Sequence, residues 1–292
     1  MLLLQNGDFS MSDSFKFHQL RIWLMATLAI ALITTTGCTQ TDTSSANAGS
    51  PSSMASPAAS SMASPSASAT ASPTVASAND LKLSAGASEA AKLYPTLARL
   101  EGKATVVMTV KGTAITLDID GANAPITAGN FVDLVDKKVY DGLVFHRVIR
   151  QPQPFVVQGG DPQGRDPNVP IEQLGRGGFI DPATNRERSS PLEIKTSGGK
   201  MVYGKTFDMA SISEKPKLLH TRGVLSMARS EDPDSASSQF YVTLTDLSSL
   251  DGKYAVFGTV TQGMDVVDKI QQGDRIDSAR VTQGLENLKN RK

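Results

Sequence analysis

The sequence predicts a mainly β domain, a closed antiparallel barrel with two helices capping its ends, held behind an export segment and a long tether. Three observations carry this reading. Short runs rich in β-branched and aromatic residues recur between Gly-, Asp- and Pro-containing turns from about residue 99 onward. Within that region only two segments place apolar residues at helical spacing. Finally, Thr43 to Ala78 holds neither a charge nor an aromatic ring. The fold therefore lies beyond about residue 80, where roughly two hundred residues suffice for one core.

Composition removes several functions. The 292 residues carry 29 basic and 29 acidic side chains, without the basic excess of a nucleic-acid partner. Three histidines (His18, His146, His220) and one cysteine, Cys38, argue against a zinc site and exclude an internal disulfide. No metal or other cofactor is expected.

Residues 1–38 read as a signal peptide. Lys16, His18 and Arg21 precede the largely apolar run from Ile22 to Ile33, too short to span a bilayer but suited to a signal core. Met11 is an alternative start to Met1. Small residues leading to Gly37-Cys38 resemble a bacterial lipoprotein cleavage site, differing at Thr35, where an aliphatic residue is usual. Cys38 is the expected lipidated residue, and an ordinary secretory signal is the alternative. Residues 39–79, almost wholly Ser, Ala, Pro and Thr, repeat an eight-residue unit (50–57, 58–65, 66–73) with nothing to bury, and form a flexible linker. A lead-in over 80–98 has a short helical pattern broken near Pro95.

The domain, 99–290, begins with two strands, 103–110 and 113–119, joined across Lys111-Gly112. Ile115, Leu117 and Ile119 alternate with polar residues, as in a half-buried antiparallel strand. Thr127 is the expected N-cap of a helix bearing Phe131, Leu134 and Val135. The stretch Phe145–Asp161 (FHRVIRQPQPFVVQGGD) sets one guanidinium, one amide and one aromatic ring on adjacent extended segments. An irregular segment, 162–207, follows; its Gly-rich runs at 175–178 and 197–200 lack phosphate-loop spacing and read as turns, with a short strand at 191–194. Strands at 223–228, 238–244 and 254–260 come next, then a short helix on Met264, Val267 and Ile270, and a last strand near 275–281.

Several separated motifs, in this order, resemble the cyclophilins, the peptidyl-prolyl cis-trans isomerases. They are Asn130-Phe131, Tyr140-Asp141-Gly142, Phe145-His146-Arg147-Val148-Ile149, Phe155 to Asp161, Gly223 to Ala228, Ser238-Gln239-Phe240-Tyr241, and Leu250 to Lys253 with Val256-Phe257-Gly258. The insertions resemble exported members from photosynthetic bacteria and the thylakoid lumen. The resemblance implies an eight-stranded antiparallel β-barrel with two helices. It also implies rotation about X–Pro bonds, whose resonance barrier is roughly 18–20 kcal/mol. Arg147 is the implied catalytic group, donating to the prolyl amide and favouring its twisted state. Phe155, Val156, Tyr241 and Leu250 are implied to form the proline pocket, with Tyr254 at its edge. Gln158 and Gln239 orient substrate and arginine, and Ala228, Arg229 and Ser230 run along the peptide groove. His146, on the opposite strand face, reads as a packed structural residue.

The chain departs from the family pattern at Val156 (usually Met), Tyr241 (usually Phe), Arg229 (usually Asn) and Tyr254 (commonly His). Ser249 replaces a Trp associated with cyclosporin binding, so weak inhibition by that drug is expected. Arg150 to Pro154 lengthens the link from Arg147 to Phe155, a change expected to displace the ring and lower activity. Two readings follow: an isomerase acting on proline-containing polypeptides outside the cytoplasm, as a monomer on the periplasmic side of a bacterial membrane or in a thylakoid lumen, or a cyclophilin-like domain that binds proline segments with little turnover. A ligand-carrying barrel of lipocalin type leaves the polar motifs unexplained.

Overall fold

The computed structural model describes residues 78–291. The predicted signal peptide, Cys38 and all but the last two residues of the tether lie outside them. The lead-in is a helix, α1 (Ala78–Leu93). It stops ahead of Pro95, which disfavours helical geometry at Tyr94. Next come β1 (Arg99–Leu100), β2 (Lys103–Val110) and β3 (Thr113–Asp120). Lys111 and Gly112 between them both have positive φ, 49° and 73°, as a two-residue hairpin turn requires. Every second residue of both strands is buried from Ala104 and Ile115 onward, as the alternation predicted.

Helix α2 (Pro125–Asp136) leads to β4 (Arg147–Val148) and β5 (Val156–Gly159). The irregular segment carries two short hairpins, β6 (Ile180–Asp181) with β7 (Arg186–Glu187), and β8 (Glu193–Lys195) with β9 (Met201–Tyr203). The chain then forms β10 (Val224–Met227), β11 (Phe240–Thr243), β12 (Val256–Gln262), the one-turn α3 (Met264–Val267), β13 (Ile276–Gln283) and β14 (Leu288–Lys289).

Eight strands form one antiparallel sheet in the order β13-β2-β3-β12-β10-β11-β5-β4. The expected closed barrel is corrected here to an open half-barrel. Closure needs β4 and β13 to run side by side, but β4 has two strand residues and both pair with β5. Only the chain ahead of β4 reaches the approach to β13, through the single bridge Val144–Arg275 and flanking bonds such as Gly142 N–H to Ile276 O at 2.7 Å.

Inside the curve, α2 inserts Phe131 among Tyr140, Phe240 and Phe257, with centroids 5.1, 5.4 and 5.0 Å away. The helix is buried along all but its last residue, so its polar side chains need internal partners. Asn130 donates to Ser237 O at 2.6 Å. Asp133 pairs with Lys137 at 2.7 Å and with Arg188 at 2.5 Å.

The expected cap at Thr127 is also corrected. Ala124 occupies the N-cap without a side-chain bond and Pro125 begins the helix, a position where its missing N–H costs nothing. Glu193, 67 residues on, closes the helix instead: its Oε2 accepts from Ile126 N–H (2.9 Å), Thr127 N–H (3.0 Å) and the Thr127 hydroxyl (3.2 Å). The buried Tyr203 hydroxyl faces the same carboxyl. Burial pushes the Glu193 carboxyl up to about 7, against hydrogen bonds that favour the charged form.

The folded state thus holds a proton that the unfolded chain releases, so this group's contribution to stability is full below about 4.5 and is lost as pH rises through about 7. Glu193→Gln is expected to remove that slope, up to ~1.4 kcal/mol per pH unit. Urea denaturation at pH 5 and pH 8 reads it: equal pH dependence in wild type and variant would contradict the assignment.

Candidate active site

The site is built on the pairing of β5 with β4 and β11. Register places Gln158 opposite Arg147 on one side and opposite Tyr241 on the other. Because successive strand residues face opposite ways, Val156 and Gln158 share a face with Arg147 and Tyr241, while Val157 points into the core. Arg147 is exposed, and among the described residues it makes no ion pair. Its Nη1 donates to Gln158 Oε1 at 3.0 Å, and its guanidinium lies 5.7 Å from the centre of the Phe155 ring. Gln158 Nε2 donates in turn to Gln239 Oε1 at 3.1 Å.

A cavity of about 380 Å³ opens beside them, lined by Arg147, Phe155, Val156, Gln158, Ala228, Arg229, Tyr241, Leu250 and Tyr254. Nine of the eleven residues expected in the site therefore meet around one space. The other two, Ser230 and Gln239, line an adjoining cavity of about 490 Å³ that shares Gln158, Ala228 and Arg229 with the first. The smaller cavity combines apolar walls with the exposed Arg147 guanidinium, while the Arg229 guanidinium on its wall is engaged by Lys253 O.

The lengthened link does not displace Phe155. Ile149 and Phe155 close it as a hairpin, with Ile149 N–H to Val156 O at 3.0 Å and Phe155 N–H to Ile149 O at 2.9 Å. Arg150 turns away and donates to Val267 O and Ile270 O, at 3.2 and 2.7 Å, at the end of α3. Residues 151–154 lie exposed beyond the sheet.

Two departures from the family pattern explain each other. The Arg229 guanidinium lies 4.7 Å from the centre of the Tyr254 ring and donates twice to Lys253 O, at 3.2 and 2.8 Å. An Asn could not span that distance or present a cation to the ring. Tyr241, a third departure, directs its hydroxyl out of the cavity to His220 Nε2 at 3.1 Å, and His220 Nδ1 meets Asp251 Oδ1 at 2.9 Å. Burial holds His220 below the usual imidazole range despite Asp251. The neutral ring then donates from Nδ1 and accepts the tyrosine proton at Nε2.

Sequence reading missed His220 and Asp251; a phenol at a position usually filled by phenylalanine was the available signal that a buried acceptor waits behind it. His146, expected as a structural residue, is buried, and burial lowers its pKa. Ser249 is exposed on the turn Ser248–Leu250.

An antiparallel half-barrel with an exposed guanidinium, that of Arg147, over an apolar, amide-lined cleft defines a class of small β protein with an open surface pocket. Residues 105–289 match the family described as cyclophilin type peptidyl-prolyl cis-trans isomerase/CLD. The chain belongs to the cyclophilin-type peptidyl-prolyl cis-trans isomerase family. It is 39% identical over 208 residues to a Synechocystis protein provisionally named a thylakoid lumen peptidyl-prolyl cis-trans isomerase, covering 68% of this chain and 52% of that one. It is likewise 39% identical over 216 residues to a chloroplastic peptidyl-prolyl cis-trans isomerase of Arabidopsis thaliana, covering 68% of this chain and 46% of the relative. The chain thus spans about half the length of these two relatives. A Cryptosporidium parvum cyclophilin crystal structure superposes on 62% of this chain and 98% of its own with a TM-score of 0.44 and 22% identity.

Tyr241→Phe, which restores the residue usual in the family, is expected to destabilise the domain by about 1–2 kcal/mol, because it strands His220 Nε2 without a partner. Thermal or denaturant unfolding reads this, and unchanged stability would mean that the Tyr241–His220 bond contributes nothing.

Proposed function

We propose that this chain is an exported peptidyl-prolyl cis-trans isomerase acting on proline-containing polypeptides, with Arg147 as its catalytic group. The observation that carries the reading is the convergence of Arg147, Phe155, Val156, Gln158, Tyr241 and Leu250 on one open cavity. The prolyl ring sits against Phe155, Val156, Tyr241 and Leu250. The Arg147 guanidinium then faces the amide nitrogen, whose lone pair becomes localised as the C–N bond twists. A donor there is stronger for the twisted than for the planar amide, which is the condition for lowering a rotational barrier. No bond is broken, so neither a nucleophile nor a metal enters. Gln158 holds the guanidinium, leaving its remaining N–H groups for substrate, and Ala228 and Arg229 flank the peptide.

Export is supported by the N-terminal pattern and by the lumenal and chloroplastic names of the two relatives. Lipid anchoring through Cys38 and action as a monomer belong to the same proposal. Cys38→Ser is expected to move the chain from the membrane to the soluble fraction of cells; retention on the membrane would refute the anchor.

Isomerisation of a short Ala-Pro peptide, followed by NMR exchange with the full chain, tests the activity. Arg147→Ala is expected to lower kcat/KM by ~10²-fold or more, the scale seen when one electrostatic donor is removed. Equal rates in wild type and variant would remove Arg147 from the mechanism. A folded wild type that binds the peptide without accelerating exchange would instead establish the second reading, a proline-segment binder.

A further inference from the structure

We infer that Asp161 is a positioning residue for Arg147, acting through the turn at Gly175–Gly177 and two glutamine amides. The inference rests on the isomerase reading and extends its site to a buried carboxylate outside both cavities.

Asp161 is 1% exposed, and among the described residues no cation pairs with it. Backbone N–H groups are its hydrogen-bond partners instead. Oδ2 accepts from Gly175 N–H at 2.7 Å and Gly177 N–H at 3.0 Å, and Oδ1 accepts from Gln163 N–H at 3.0 Å. The approach is close enough that a Cβ on Gly177 would lie 2.5 Å from Oδ1, so only glycine admits it.

Gly177 is also where the hydrogen-bond chain from the arginine ends. Arg147 donates to Gln158 at 3.0 Å, Gln158 to Gln239 at 3.1 Å, and Gln239 Nε2 to Gly177 O at 2.8 Å. A guanidinium is donor-only, so a chain that starts there must run donor to acceptor through each amide and finish on an acceptor. Turning either glutamine over would bring two donors or two acceptors together. The Gly177 carbonyl therefore fixes the orientation of both amides, and Asp161 fixes Gly177. Releasing the turn frees Gln239 to rotate, then Gln158, and then the guanidinium loses its acceptor.

Small displacements of a catalytic group are costly, so Asp161→Ala is expected to lower kcat/KM by ~10-fold, mainly through kcat. Asp161→Asn keeps one oxygen for the two glycine N–H groups and is expected to recover part of the loss. The accompanying readout is NMR of the full chain. The Gln158 and Gln239 side-chain amide signals and the Arg147 Nε–H signal should shift in both variants while core signals stay in place. A folded Asp161→Ala protein with wild-type kcat and unmoved amide signals would overturn the inference. Should that variant fail to fold, Asp161→Asn decides on the same two measurements. In the wild type, the Gly175 and Gly177 amides are expected to resist hydrogen exchange, and free exchange there would equally overturn the link. Absence of turnover in the wild type would instead overturn the isomerase reading, leaving the NMR arm to test the Asp161 link by itself.

Discussion

The site depends on the register of one four-residue strand. In β5, Val157 is fully buried in the core cluster, while its neighbours Val156 and Gln158 line the cavity. A shift of one residue would drive Gln158 into the apolar core and turn Val157 to solvent, so burial and function select the same pairing. The pairing is enforced from both sides, since β4 and β11 both take their register from β5. Arg147 has no need of a dedicated scaffold. It is placed by the same cross-strand row that places Tyr241.

The irregular segment between β5 and β10 is part of this framework and not an appendage to it. It supplies Glu193, which closes the N-terminus of α2, and Arg188, which pairs with the buried Asp133 of the same helix. Beneath its second hairpin lies a small cluster of Leu192, Ile194, Val202 and Phe207 that packs on Ala255, just ahead of β12. Helix α2 is therefore clamped on one side by the sheet and on the other by chain that carries little regular structure. Buried polar contacts do the clamping, the Glu193 hydrogen bonds and the Asp133–Arg188 ion pair, which favours a single docking arrangement, because any other leaves the Asp133 carboxylate unpaired.

How much of this the sequence shows divides along contact range. The β2–β3 hairpin, both domain helices, the strands from β10 to β13 and the residues around Arg147 are legible because periodicity, turn residues and motif order are local signals. What escaped reading depends on partners far apart in the chain. Thr127 has the residue type and position of an N-cap, yet Glu193 does the closing, and no pattern near either residue announces the other. The Arg229–Tyr254 stack looks like two independent departures until the rings and charges are seen together. The open side of the barrel was misjudged for a related reason: strand count and alternation do not report how far two edge strands run alongside each other. The added residues at 150–154 looked disruptive because sequence gives an insertion's length but not its direction.

That direction has a practical consequence. The loop between Arg150 and Phe155 is pinned at both ends by the Ile149–Phe155 backbone bonds and by the Arg150 guanidinium, and its middle projects into solvent. Chain length there is uncoupled from the geometry of the cleft, since added residues extend outward and the strands cannot slide. The loop is accordingly the natural port of this domain: a peptide epitope or fluorophore placed between Pro152 and Gln153 would stand a few residues from Phe155 and outside the surfaces that create the cavity.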